Sequence, residues 1–399
     1  MAALHLNLAL VLALLAGGEF AAFFYQPRVL AVTHVLTLGW ISLTIIGVLY
    51  RYVPALTKQP LRGVRMARLQ VVLFVVGALG MVSHFWIGRL VGMVWSAGLV
   101  AGSVIMLLAL LLPPLVRGPA RDATVIGIAL ALLLFLGAAL LGVLSALHVV
   151  HPYLQGSLFG RIAAHAHLAL VGWVTLVICA VSYRMVAAFA LPRDTLPGPA
   201  RRQIVSLAVL VPALVLALFW WRPAVFPLAV AVAANLGWYV VLVVRLLRTR
   251  RMPLDWALRH VLAAVAYLVV ATAGGLAFAA GVDPTQPAGS RLAFAYGVVV
   301  LLGWVSNFIL GIGGRLIPGL VPGGSIGQPL LAARAQAVVF WSFNLGTVGV
   351  AIAVVLGAPR LLAFALLLTL AASAIFARGV VQRTLRLLRS APVAEVRAS

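Results

Sequence analysis

The chain has 399 residues, 64% of them hydrophobic and only 9% charged. A soluble domain carries about a quarter charged residues, so this composition excludes one and requires an integral membrane protein. The net charge of +23 would suggest nucleic acid in a soluble chain, but the basic residues stand at the ends of apolar segments. The positive-inside rule accounts for them there, and no nucleic-acid partner is expected.

A membrane-crossing helix needs about 20 apolar residues. Twelve stretches qualify, at about 4–25, 30–53, 68–90, 92–115, 123–148, 162–187, 203–221, 223–247, 257–281, 292–316, 332–357 and 359–380. The first lacks a basic leader and a small-residue cleavage site, so it reads as a span and not as a signal peptide. The even-numbered connections and the C-terminal tail hold 23 of the 29 basic residues, from Arg51 and Lys58 to Arg397; the odd connections hold Arg28, Arg89, Arg161, Arg222, Arg291 and Arg360. The asymmetry predicts a multi-pass protein of the cell inner membrane with both termini cytoplasmic. The polar connection from Leu191 to Gln203 is rich in Pro and Arg, and the tail after Arg389 is expected to be mobile. Cys179, the single cysteine, lies in mid-span and leaves no internal disulfide or cysteine-based metal site.

The second, sixth and tenth spans repeat one another. HVLTLGWISLTIIGVLYR (34–51), HLALVGWVTLVICAVSYR (167–184) and VVVLLGWVSNFILGIGGR (298–315) align on Gly39-Trp40, Gly172-Trp173 and Gly303-Trp304, with Arg51, Arg184 and Arg315 eleven residues after each tryptophan. Such internal similarity marks a repeat architecture. The fold class is therefore all-α, with twelve transmembrane helices in three pseudo-equivalent four-helix repeats, about 1–120, 121–252 and 253–390, in a single transmembrane domain. Glycine beside a bulky ring suggests close helix packing about a pseudo-threefold axis. The three arginines fall at the cytoplasmic ends, placed to snorkel and to cap the negative helix termini.

Topology sorts the eight histidines. His34, His84, His148, His151, His165 and His167 all fall in the outer third of the membrane, whereas His5 and His260 lie towards the cytoplasmic side and read as packing residues. Ionisable groups at membrane depth are costly and usually face a cavity or a partner. Six imidazoles at one depth therefore point to haem or metal binding. His148 and His151 are three apart on one helical face and could grip one ion together with His84 or His165. His165 and His167 point about 200° apart and suit two neighbouring sites. His34 could meet either of them across a haem. Imidazole suits iron, copper and zinc alike, so spacing does not choose the metal. Glu19, the only carboxylate well inside a span, reads equally as a proton relay or as the partner of Arg28 or a histidine. Tyr296 takes in the third copy the place of His165 in the second. Asn235, Asn307 and Asn344 read as hydrogen-bonding glue between helices.

Twelve spans in three sets of four, with His34 near the outer end of the second span and a small-residue-rich run ending in GVLYRYVP, resemble subunit I of the haem-copper oxidases. The nitric oxide reductases and C-type oxygen reductases resemble it most. The NnrS family of haem- and copper-containing membrane proteins is similar, with His-x-His stretches like AHAHL (164–168). The resemblance implies a b-type haem and copper, with His34 and His165 or His167 as cofactor ligands; position and spacing add His84, His148 and His151 as candidate metal ligands and Glu19 and Tyr296 as candidate supporting groups. It also implies a diatomic gas ligand, nitric oxide or oxygen, and a cytochrome or other electron-donor subunit beside the membrane lipid. It departs at the tenth span, where Tyr296 and Val298 stand and no histidine does, and at the seventh, which lacks paired histidines. If the chain is an enzyme, it is expected to be an oxidoreductase. The alternatives are a non-catalytic subunit or haem-handling factor that kept the fold, or a proton-coupled small-solute transporter.

Overall fold

The computed structural model describes residues 1–20, 23–320, 325 and 327–390; Arg397 and the tail beyond residue 390 lie outside them. Among the described residues there are twelve principal helices and no strand. These are α1 (Ala2–Leu15), α2 (Pro27–Thr57), α3 (Val64–Trp86), α4 (Met93–Arg117), α5 (Ala123–Val150) and α6 (Leu158–Ala190). They continue with α7 (Pro197–Trp220), α8 (Val225–Arg248), α9 (Trp256–Ala279), α10 (Pro287–Gly319), α11 (Ala333–Leu356) and α12 (Pro359–Ser390). Eleven segments are long and apolar enough to cross a membrane. With lipid for solvent, every backbone group must be satisfied within its own segment, which is why such a chain is built of helices.

The exception to the expected spans is α1. It is 14 residues long and stops before Gly17-Gly18, where two residues with poor helix propensity meet. Glu19 consequently falls in a separate short helical turn, Gly17–Phe20, instead of deep in a span. Its carboxylate accepts from Arg28 Nη1 at 2.7 Å, and both side chains are partly exposed.

The marked helices α2, α6 and α10 share a feature that hydrophobic patterning does not disclose. Each loosens into a π-helix for eight residues around its Gly-Trp pair, over Val35–Ser42, Leu168–Thr175 and Val299–Ser306. π-Segments are rare and concentrate at functional sites. Here they bring the three tryptophans into a closed ring of hydrogen bonds. Trp40 Nε1 on α2 donates to Ser306 Oγ on α10 at 3.0 Å, Trp304 Nε1 on α10 donates to Thr175 Oγ1 on α6 at 3.1 Å, and Trp173 Nε1 on α6 donates to Ser42 Oγ on α2 at 3.1 Å. Donors and acceptors are all buried. Each acceptor stands two residues after the tryptophan of its own copy, so one sequence position serves three times around the pseudo-threefold axis. A buried indole N–H needs an acceptor, and lipid offers none.

The glycine of each pair admits a neighbouring helix. A side chain at Gly303 would run into the Tyr267 ring of α9, one at Gly172 into Leu134 of α5 and one at Gly39 into His5 of α1. His5 therefore rests against α2 at the level of Gly39. The arginines also differ from expectation. Arg184 pairs with Asp122 at 3.0 Å and Arg315 pairs with Asp255. Those aspartates are the N-caps of α5 and α9, where they accept from the amides of Val125 and Leu258. These two arginines thus serve the start of a neighbouring helix, not the end of their own. On the same arginine-rich face the connections after α6 and α8 are joined by backbone bonds, Arg193 N to Thr249 O and Arg251 N to Ala190 O.

Candidate functional site

The sequence positions six and eight residues before each tryptophan define the site. At minus six stand His34, His167 and Val298; at minus eight stand Val32, His165 and Tyr296. Residues two positions apart on a helix point about 200° apart, so each marked helix turns one position towards one neighbour and the other position towards the other neighbour. Three facing pairs result. His167 of α6 and Tyr296 of α10 line one space. Val298 of α10 and Val32 of α2 line its continuation. His34 of α2 and His165 of α6 hold the corresponding positions of the third pair, and neither lines that space.

The first two pairs share a cavity of about 1040 Å³, the size of a pocket for a large cofactor. Its walls are mostly apolar; Ala13, Leu36, Leu214, Phe278, Leu302 and Leu366 show that helices from all three repeats contribute. A narrower extension of about 100 Å³ reaches inward past His167 and Tyr296 to Thr175, Thr272 and Trp304. Tyr296 fits because α9 carries Gly274 and Gly275 beneath it; a side chain at Gly274 would press on the ring at 3.0 Å. At the other end Tyr25, Ser157, Arg222 and Asp283 line the cavity. They come from four connections on the face opposite the arginine-rich one, so this is the mouth. Burial raises the Tyr25 phenol above its ordinary value, the Arg161 charge acting in the other direction. The hydroxyl and amide of Thr285 donate to Asp283 and hold its carboxyl below the usual carboxylate value.

His34 and His167 are held alike. The Nδ1 of His34 bonds to Leu30 O at 2.7 Å and that of His167 to Ala163 O at 2.7 Å. A carbonyl only accepts, so in each ring Nδ1 carries the proton and Nε2 keeps its lone pair. That arrangement is how a histidine is held as a metal ligand. Phe85 of α3 stacks on the His34 ring at 4.9 Å. The Nδ1 of His84 is buried and has no hydrogen-bond partner, and its ring packs against Gly92.

Two expected ligands are otherwise engaged. α5 ends at Val150 and His151 continues in extended backbone, exposed, so His148 and His151 do not share a helical face. His148 Nδ1 accepts from the amides of Tyr153 and Leu154 at 2.8 and 2.9 Å, which ties down the chain leaving the helix. Accepting at Nδ1 puts the neutral ring's proton on Nε2 and leaves no lone pair for an ion. Among the described residues no three His, Cys, Asp or Glu side chains converge as a metal-ligand group, so the expected set of His84, His148 and His151 is not assembled. His260 is buried against Phe340 and bonds to Asn307 Oδ1 at 2.8 Å, while Asn307 and Asn344 exchange amide bonds at 3.1 Å. Sequence reasoning missed Phe85, Arg222 and the hydroxyls of Ser42, Thr175 and Ser306. Only the hydroxyls left a signal, since the second residue after each Gly-Trp is Ser or Thr in all three copies.

No family model matches the chain and no curated protein matches it in sequence. A solved cryo-EM structure of a heme-copper terminal oxidase dimer does match in three dimensions, with a TM-score of 0.64 over 96% of this chain and 82% of that one, at 13% identity. The fold is haem-copper oxidase-like. The oxidase-like architecture spans nearly the whole chain.

Proposed function

We propose that this chain binds haem in the cavity on His167 and acts in electron transfer or in binding a diatomic gas such as nitric oxide or oxygen. The observation that carries this reading is the His167 imidazole, held at Nδ1 by Ala163 O, on the wall of a 1040 Å³ apolar cavity of a haem-copper oxidase-like fold. The residues present fit the group. One imidazole nitrogen is free to bind iron, the walls suit a porphyrin, and Arg222 at the mouth offers a positive charge to its carboxylates.

When bound, haem would supply an iron centre able to accept an electron or to bind a diatomic gas. The Ala163 carbonyl fixes the tautomer and plane of His167. Tyr296 places a phenol on the facing wall, where its O–H can donate to a ligand lying between the two helices. The leucine, alanine and phenylalanine walls exclude water and lower the local dielectric, which strengthens that hydrogen bond. The arginine-rich face is cytoplasmic by the positive-inside rule, so the mouth opens on the outer side of the inner membrane. A cytochrome or other electron-donor subunit would dock there. Because the described residues assemble no three-ligand copper set, a reading in which the chain kept the fold without reducing oxygen is favoured over the usual oxygen reductase.

Absorption spectra of the purified protein, oxidised and dithionite-reduced, test the proposal. A Soret band that shifts on reduction is expected, and His167→Ala should lose most of the haem while keeping its helical circular dichroism. Haem at the wild-type level in that variant, or no haem in the wild type, would overturn it.

A further inference from the structure

We infer that the arginine-rich half of α2 holds one anionic phospholipid, its phosphate on Arg51 and its acyl chain along the helix past Gly47. The cavity around His167 has its mouth on the opposite face, so the inference stands whether or not that cavity binds haem.

The three repeats supply the argument, because in each the first helix lies against the second. Seven residues after each tryptophan stand Gly47, Ala180 and Gly311. In the second copy α5 covers this position: a side chain at its Gly127 would meet the Ala180 Cβ at 2.5 Å, and Thr124 Oγ1 donates to Ala180 O at 2.9 Å. In the third copy α9 covers it, since a side chain at Gly311 would meet Ala257 O and the His260 Cβ, each at 2.7 Å. In the first copy a side chain at Gly47 would meet nothing within 4 Å, and the position is exposed. The first helices account for the difference. Towards the arginine-rich face α5 runs eleven residues from Leu134 to its start at Ala123, and α9 eleven from Tyr267 to Trp256, whereas α1 runs three from His5 to Ala2.

One turn further on, the charges follow the same pattern. Arg184 and Arg315 meet Asp122 and Asp255, the N-caps of the covering helices. Arg51, their counterpart in the first copy, is exposed and pairs with no carboxylate among the described residues. The copy without a covering helix turn thus also lacks the anion that comes with it. Thr44 turns its hydroxyl back to Trp40 O at 2.6 Å, so the face from Thr44 through Gly47 and Val48 offers carbon along its length and a guanidinium at its end. A phospholipid supplies both missing parts. Its acyl chain replaces the apolar helix face, and its phosphate, a good partner for a guanidinium, replaces the aspartate. A zwitterionic headgroup brings its own cation beside the phosphate, so an unpaired arginine at the membrane surface favours an anionic lipid. An acidic protein segment fits less well, because the face at Gly47 lies at lipid depth.

The test is native mass spectrometry of the full chain in non-ionic detergent, titrated with dioleoyl phosphatidylglycerol or dioleoyl phosphatidylcholine. Wild type should hold one phosphatidylglycerol about fivefold or more tightly than phosphatidylcholine. Arg51→Gln removes the charge and Gly47→Leu fills the groove; each should weaken phosphatidylglycerol binding by a similar factor. Leucine is the better helix former, so the second variant should keep its fold, which circular dichroism checks. Arg202→Gln removes an exposed charge of the same face in the second repeat and should bind as wild type does. Excess glycerol phosphate, the headgroup without the chain, should leave the lipid in place. Wild-type affinity in Arg51→Gln or in Gly47→Leu would overturn the site, and so would equal affinity for the two lipids. An equal loss in Arg202→Gln would reduce it to a diffuse effect of charge, and displacement by glycerol phosphate would replace it with a site for free anions.

Discussion

Tyr296 contributes one oxygen to a cavity wall otherwise made mostly of carbon, and it stands where the second repeat has His165. A phenol there donates a hydrogen bond without competing as strongly as an imidazole for a metal. Replacing Tyr296 with Phe removes the donor and keeps the ring that Gly274 and Gly275 accommodate. Haem content should stay unchanged. Affinity for carbon monoxide or nitric oxide should fall by the worth of one hydrogen bond, about 0.5–1.5 kcal/mol or a factor of about 2 to 10. Gas titrations followed in the Soret region measure this, and an identical dissociation constant would remove Tyr296 from the site. His165 and His167 show how much a single residue's direction decides. Two positions apart on one helix, they serve different spaces, as helical geometry requires.

At the level of elements, the π-segments of α2, α6 and α10 re-aim the residues on either side of each Gly-Trp pair. Their glycines set how near the neighbouring helix can come, and the three are not equally tight. An added Cβ at Gly303 would meet the Tyr267 ring at 2.5 Å, whereas at Gly172 it would meet Leu134 at 3.2 Å. A flexible leucine can give way; a ring whose hydroxyl is bonded to the Asn344 backbone has less freedom. Gly303→Ala should therefore destabilise by about 1–3 kcal/mol, the usual cost of overpacking, and Gly172→Ala by clearly less. Thermal unfolding in detergent ranks the two, and equal shifts would show that glycine serves the π-turn itself and not the helix contact. The run of apolar residues announced each of these helices, because bilayer thickness dictates its length. Neither the break after Leu15 nor the capping role of His148 was announced, because both depend on a few local bonds that leave hydropathy unchanged.

For the molecule as a whole, the ring of indole bonds from α2 to α10, α10 to α6 and α6 to α2 ties one helix of each repeat to the next. If the ring acts as a direct link, Trp173→Phe and Ser42→Ala should each destabilise, and the double variant should cost less than the sum, with a coupling of about 1 kcal/mol. A coupling indistinguishable from zero in a double-mutant cycle would mean that packing of Trp173 on Phe135, stacked at 4.3 Å, does the holding instead. The same threefold arrangement distributes chemistry unevenly. One inter-repeat space receives two histidines, one a histidine and a tyrosine, and one two valines. A common scaffold thereby offers three different environments at one depth.

The amino-acid order alone settled the membrane, the all-helical build, the thrice-repeated Gly-Trp stretch and the divergence of His165 from His167, because run length and helical period are local properties set by lipid thickness and backbone geometry. It also placed His34 and His167 at matching points of their copies. Only the assembled bundle decided that Nδ1 of each ring would be held by a carbonyl one turn back, that His151 would leave its helix and that Arg184 and Arg315 would serve the caps of α5 and α9. Those outcomes turn on which helix lies against which face, and distant segments determine that when they pack together.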